Sequence, residues 1–172
     1  MKKIIFAVAT TAVATFIFCS VFLFPSFISE VSNEPVKPEK KKVTEVEKAD
    51  KAVYTWIASA VEGDDNLRKT VLVKHDQDLL ELGKPLYPNT LKDMGERYTI
   101  KRFDHLKESD RIYYYIEYYH PTNQLKYAKN LLMVKEDGKW KSNSLNGIPS
   151  GAMKAAIAGY EDQGVLVHDY KE

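Results

Sequence analysis

The sequence predicts an α+β fold: an N-terminal transmembrane helix, then a curved antiparallel sheet of about four strands packed on one long amphipathic helix, with a short helix near the C-terminus. Three stretches carry this expectation. Ile112 to Tyr119 is dense in tyrosine and isoleucine, which suit a pleated, half-buried surface. Asp137-Gly138 stands between the apolar run Asn130 to Val134 and the return segment Lys139-Trp140-Lys141; a two-residue hairpin favours this pair because both central positions need positive φ. Ala49, Ala52, Val53, Trp56, Ile57, Ala60 and Val61 recur at offsets of three and four, the pattern of one buried helix stripe.

From the N-terminus, Lys2 and Lys3 precede an apolar run from Ile4 to Phe24, and no charge follows until Glu30. The run is about the 20 residues that a helix needs to cross a bilayer core. A removed signal peptide is the rival reading. Ala12-Val13-Ala14 has the small-x-small form of a cleavage site, but it comes early and a more apolar stretch follows. Phe24, Phe27 and Ile28 spoil the later sites, and Phe18 before Cys19 is far from the small residue that lipoprotein processing prefers. Residues 1–29 are therefore expected to form a single-pass membrane anchor, or else a signal segment. Lys2 and Lys3 favour a cytoplasmic N-terminus, which puts the rest of the chain outside the cytoplasm, at the cell membrane. Residues 30–46 are charged, hold two prolines and lack aromatic side chains, so they read as a flexible linker. Its lysines from Lys37 to Lys42 are interleaved with acidic residues, which favours a solvated tether over a headgroup-binding patch.

Residues 47–172 form the expected domain. Thr44 and Glu47 have capping-box spacing, and Gly63 is a natural stop for the helix between them. Asp64, Asp65 and Asn66 cap a second, shorter helix carrying Leu67, Val71 and Leu72. Asp76 to Leu82 reads as a third, with Asp76 as a cap and Gly83 and Pro85 ending it. Leu86 to Gly95 reads as irregular, with one turn from Asn89. Arg97 to Phe103 is the first strand of a meander and Asp104 to Asp110 its polar connection. In the next strand Ile112, Tyr114, Ile116 and Tyr118 share the core face, and Tyr113, Tyr115, Glu117 and Tyr119 share a wetter one. Pro121-Thr122-Asn123 makes the turn. After the sheet, Gly151 to Tyr160 reads as an alanine-rich helix with Met153, Ala156, Ile157 and Tyr160 on one side, and Val165 to Val167 as a short edge strand.

Composition narrows function. The chain has 172 residues and a net charge of +1, so no strong field calls for nucleic acid, and no nucleic-acid partner is expected. The linker and anchor leave about 120 residues, enough for one hydrophobic core. Cys19 is the only cysteine, which removes any internal disulfide or cysteine zinc site. His75-Asp76-x-Asp78 is too sparse for a metal site, which needs three or four convergent ligands. His105, His120 and His168 are isolated and read as surface residues. No phosphate-binding glycine loop, nucleophile elbow or zinc-protease helix is present, and neither metal nor cofactor is expected.

The order of a tryptophan-bearing helix, short helices and a sheet ending in V-K-E-D-G-K-W-K, from Val134 to Lys141, resembles the nuclear-transport-factor-two-like (cystatin-like) α+β superfamily. The resemblance covers about Lys48 to Leu145. Its most specific parts are the Trp56 helix and the Asp137-Gly138-Lys139-Trp140 turn, neither of them catalytic. It implies a helix packed into the concave side of a bent sheet, forming a cone that serves as enzyme pocket, ligand pocket or plain core. The helix after Pro149 departs from the simplest version of that fold.

Two functions follow as expectations. The first is a membrane-tethered, extracytoplasmic protein-interaction module without catalysis, similar to the scaffold subunits of type IV secretion and conjugation machines and to small envelope proteins of low-GC Gram-positive bacteria. Tyr113, Tyr115 and Tyr119 would form the patch for a protein partner or for self-association, since tyrosine is favoured at contact hot spots. The second is a ligand-binding or proton-transfer domain. The resemblance implies a carboxylate base in the cone assisted by a tyrosine hydroxyl, and Glu117 with its flanking tyrosines is the local set of that composition. The competing account of these residues is a solvated glutamate among phenols that support the sheet.

Overall fold

The computed structural model describes residues 43–106 and 108–172. The expected anchor, and the linker as far as residue 42, lie outside the described residues. Among the described residues no helix is long and apolar enough to cross a membrane.

Helix α1 (Glu45–Glu62) begins where the capping box places it. The Thr44 hydroxyl accepts from the Glu47 amide at 3.2 Å, and the Glu47 carboxylate accepts from the Thr44 amide at 2.7 Å. The helix therefore takes in the last two residues of the expected linker. It ends at Gly63, whose φ of 60° lies in the left-handed region. A Cβ at that position would stand 2.9 Å from the Leu86 Cβ, so both the backbone conformation and the packing call for glycine.

Three short helices follow. In α2 (Asp65–Lys69) the Asp64 side chain accepts from the Leu67 amide. Helix α3 (Lys74–Gln77) comes earlier and is shorter than the expected Asp76 to Leu82. The physical reason is tertiary. The Asp76 carboxylate accepts from the Leu145 amide at 3.1 Å rather than capping a helix. Beyond it Leu79, Leu82 and Leu86 are exposed, and a short helix without packing does not hold. Helix α4 (Thr90–Met94) is the single turn after Asn89.

The sheet has five antiparallel strands in the order β4-β3-β2-β1-β5. These are β1 (Tyr98–Phe103), β2 (Arg111–His120), β3 (Leu125–Glu136), β4 (Lys139–Ser142) and β5 (Val165–His168). Strand β3 starts earlier than the apolar run at Asn130 suggested. Its register with β2 runs unbroken from Arg111 opposite Val134 to His120 opposite Leu125. Asp137 and Gly138 both have positive φ, 50° and 74°, as the hairpin demands. The expected edge strand near Val165 pairs with β1 as the fifth strand.

The two faces of the sheet differ. One carries Ile112, Tyr114, Ile116 and Tyr118 from β2 with Leu131 and Met133 from β3, packed with Val53, Trp56, Ile57 and Val61 of α1 in one core. The other carries a smaller cluster, Phe103 with Met153 and Ile157 of helix α5 (Ser150–Ile157), against which Tyr113 and Tyr115 pack.

His120 corrects a sequence expectation. Its position in β2 turns it to the core face, where it is 7% exposed, with the Tyr87 ring edge-on at 5.4 Å and the Tyr127 ring at 6.1 Å. His168 is half-buried and stacked on Tyr98 at 3.8 Å. The side chain of His105 lies outside the described set.

Candidate functional site

The row Tyr113, Tyr115, Glu117, Tyr119 follows from strand alternation: each member is half-buried, and each β2 residue between them is buried. Neighbouring strands complete the surface. Phe103, Lys101 and Thr99 of β1 stand opposite Tyr113, Tyr115 and Glu117. Leu132, Asn130, Ala128 and Lys126 of β3 stand opposite Tyr113, Tyr115, Glu117 and Tyr119.

The three tyrosines share this face but occupy two environments. Tyr113 and Tyr115 lie against Phe103, Met153 and Ile157, so α5 covers one end of the row. The Tyr115 hydroxyl donates to Glu117 Oε1. Burial, and then the bond to that carboxylate, push the Tyr115 phenol up to about 12, so it is a neutral donor at ordinary pH. Tyr119, at the other end, lies under the Arg97 guanidinium at 4.1 Å. Lys126 reaches over the Tyr170 ring at 4.2 Å, so a C-terminal aromatic joins this end of the face. Sequence reasoning missed Arg97, Lys126 and Tyr170. Arg97 precedes β1 and Tyr170 follows β5, and only strand pairing brings them beside β2 and β3.

Glu117 is on the face opposite the one that α1 covers, and therefore outside the space between helix and sheet. A base there is half-exposed, and the Tyr115 hydroxyl already occupies one of its oxygens. General-base work calls for a carboxylate shielded beside its substrate.

A second polar constellation has no sequence signature. Asp50 of α1, Arg102 of β1, Asp104 and Tyr114 of β2 meet at the edge of the main core. Arg102 bonds Asp50 Oδ2 at 2.6 Å and forks onto both oxygens of Asp104 at 2.5 and 2.9 Å. The Tyr114 hydroxyl, on a residue that is 0% exposed, donates to Asp50 Oδ1 at 2.8 Å. Burial, and then the Asp50 charge, push the Tyr114 phenol well above its usual value. The bonds to Asp104 and Asp50 hold Arg102 firmly protonated against burial. Every charge here has a partner, so the group fastens helix to sheet, with Asp104 at its exposed end. His75, Asp76 and Asp78 do not converge, and among the described residues no three His, Cys, Asp or Glu side chains are grouped to hold a metal.

Comparison with protein-family models, curated proteins and solved structures finds no match to this chain.

Proposed function

We propose that the chain is a non-catalytic protein-interaction module, held at the membrane by its N-terminal apolar segment with the folded domain outside the cytoplasm, and acting as a scaffold subunit of an envelope assembly. The observation that carries this reading is the outer sheet face. Helix α5 covers it at Tyr113 and Tyr115, while Glu117, Tyr119 and the Arg97 and Lys126 cations continue it beyond the cluster. Aromatic rings flanked by charges of both signs suit a protein partner, because tyrosine and arginine dominate contact energetics. The packing of α1 on the opposite face supports the nuclear-transport-factor-two-like reading of the fold. On that reading the space between helix and sheet is a filled core, since Ile57, Tyr114, Ile116 and Leu131 are fully buried there.

The test uses the tagged full-length chain as bait in detergent-solubilised native membranes, beside the variant Glu117→Ala/Tyr119→Ala. This pair spares the residues packed under α5. Truncating a contact hot spot costs about 2 kcal/mol, so capture or self-association should fall by more than about tenfold. Partners and self-association unchanged in the variant would refute the assignment of this face.

A further inference from the structure

Between α1 and the β3–β4 hairpin lies a cleft of about 450 Å3, within the range of small-molecule sites. Lys48, Lys51 and Lys139 line it together with Ala52, Val71 and Trp140, and no carboxylate does. Lys48 is neutralised by Glu45 at 2.5 Å. Lys51 and Lys139 have no ion-pair partner among the described residues. A fourth ammonium stands beside the cleft: Lys141 donates to the carbonyl of Thr70, another lining residue. Burial, and then the adjacent Lys139 charge, push Lys141 below its usual value.

Glu45 answers Lys48 and Glu136 stands near Lys141, but among the described residues Lys51 and Lys139 are left without a paired carboxylate, and an anion placed between them relieves their repulsion. The cations are all lysines. Arginine's planar fork matches carboxylate and phosphate alike, and an ammonium binds phosphate as a compact point charge. Trp140 is 5% exposed and fixed in the sheet. With Ala52 and Val71 it gives the cleft an apolar wall beside its charges.

We propose that this cleft binds a phosphate group, with Lys51 and Lys139 supplying the charge and the Trp140 wall receiving the organic part that carries it. The site is separate from the tyrosine face and does not depend on the role assigned to that face. A soluble phosphorylated compound and a phospholipid headgroup share this chemistry.

The experiment places the full chain in phosphate-free dodecyl maltoside micelles and follows the backbone amides of Gly138, Lys139 and Trp140 by NMR. One arm titrates inorganic pyrophosphate at constant ionic strength. The other omits pyrophosphate and adds phosphatidylglycerol to the micelles. A saturable shift of these amides in the first arm identifies a soluble phosphate ligand, and a shift in the second alone identifies a headgroup. In the responding arm, Lys51→Gln/Lys139→Gln should weaken the response about tenfold or more. Lys92→Gln/Lys154→Gln, which removes the same charge elsewhere, should leave it intact. No saturable shift in either arm, or an equal loss in both variants, would overturn the proposal.

Discussion

At the scale of single residues, the link from Asp50 to Arg102 and Tyr114 carries the clearest energetic consequence. Removing the carboxylate leaves a buried phenol and a partly buried guanidinium short of their acceptor. Asp50→Ala should destabilise the fold by about 2 kcal/mol, measured as a lowered urea midpoint at unchanged slope. Loss below a few tenths of that would mean that water replaces the carboxylate. His120 gives a pH consequence. Burial holds its folded-state value below 6.5, so the neutral ring belongs to the native state. Its contribution is complete above 6.5 and is lost as pH falls through the lower folded value. NMR titration of the ring should therefore give a midpoint under 6.5, and the urea midpoint should decline in that acid window; a ring midpoint at or above 6.5 contradicts this. The in-and-out order of β2 was legible in the sequence, because alternation is local. The Asp50–Tyr114 bond was not, because 64 residues separate its partners and nothing in the sequence fixes their approach. His120 was misread because β2 runs one residue past Tyr119, which puts His120 on the core face, and because its cover, Tyr87, comes from a distant loop.

At the scale of elements, those with a complete local code were readable. Helix α1 has its cap, its stripe and its glycine stop, and the β3–β4 hairpin has the Asp-Gly pair that its turn requires. Gly63→Ala tests this code at a point where two demands coincide. The substitution puts a side chain at positive φ and drives a Cβ against Leu86. It should cost about 1 to 3 kcal/mol, with hydrogen exchange quickening first at the end of α1 and around Leu86. Exchange unchanged at these amides would show that the loop yields without cost. The less legible elements depend on partners instead. The first half of β3 is polar and is a strand because β2 lies beside it. Helix α3 is short because Asp76 bonds the Leu145 amide. The position of α5 over Tyr113 and Tyr115 follows from where Phe103 lies, which no pattern within residues 150–157 states.

At the scale of the molecule, α1 with Val71, Leu72 and Met94 covers most of one sheet face, and α5 covers part of the other. The candidate contact surface is thus what α5 leaves uncovered, and sequence alternation identified its row without its boundary. The strand order has a further consequence for biosynthesis. Consecutive strands β1 to β4 can pair as each follows the last, yet β1 remains an open edge until β5, from the far end of the chain, lies against it. Domains made from the N-terminus onward hold such edges exposed while synthesis continues, and an unpaired edge is a template for a neighbouring chain. A nascent chain arrested before Val165 would carry the whole meander with an adhesive flank. Completion of this sheet therefore replaces the six-residue edge of β1 with the four-residue edge of β5, a shorter template for its own copies.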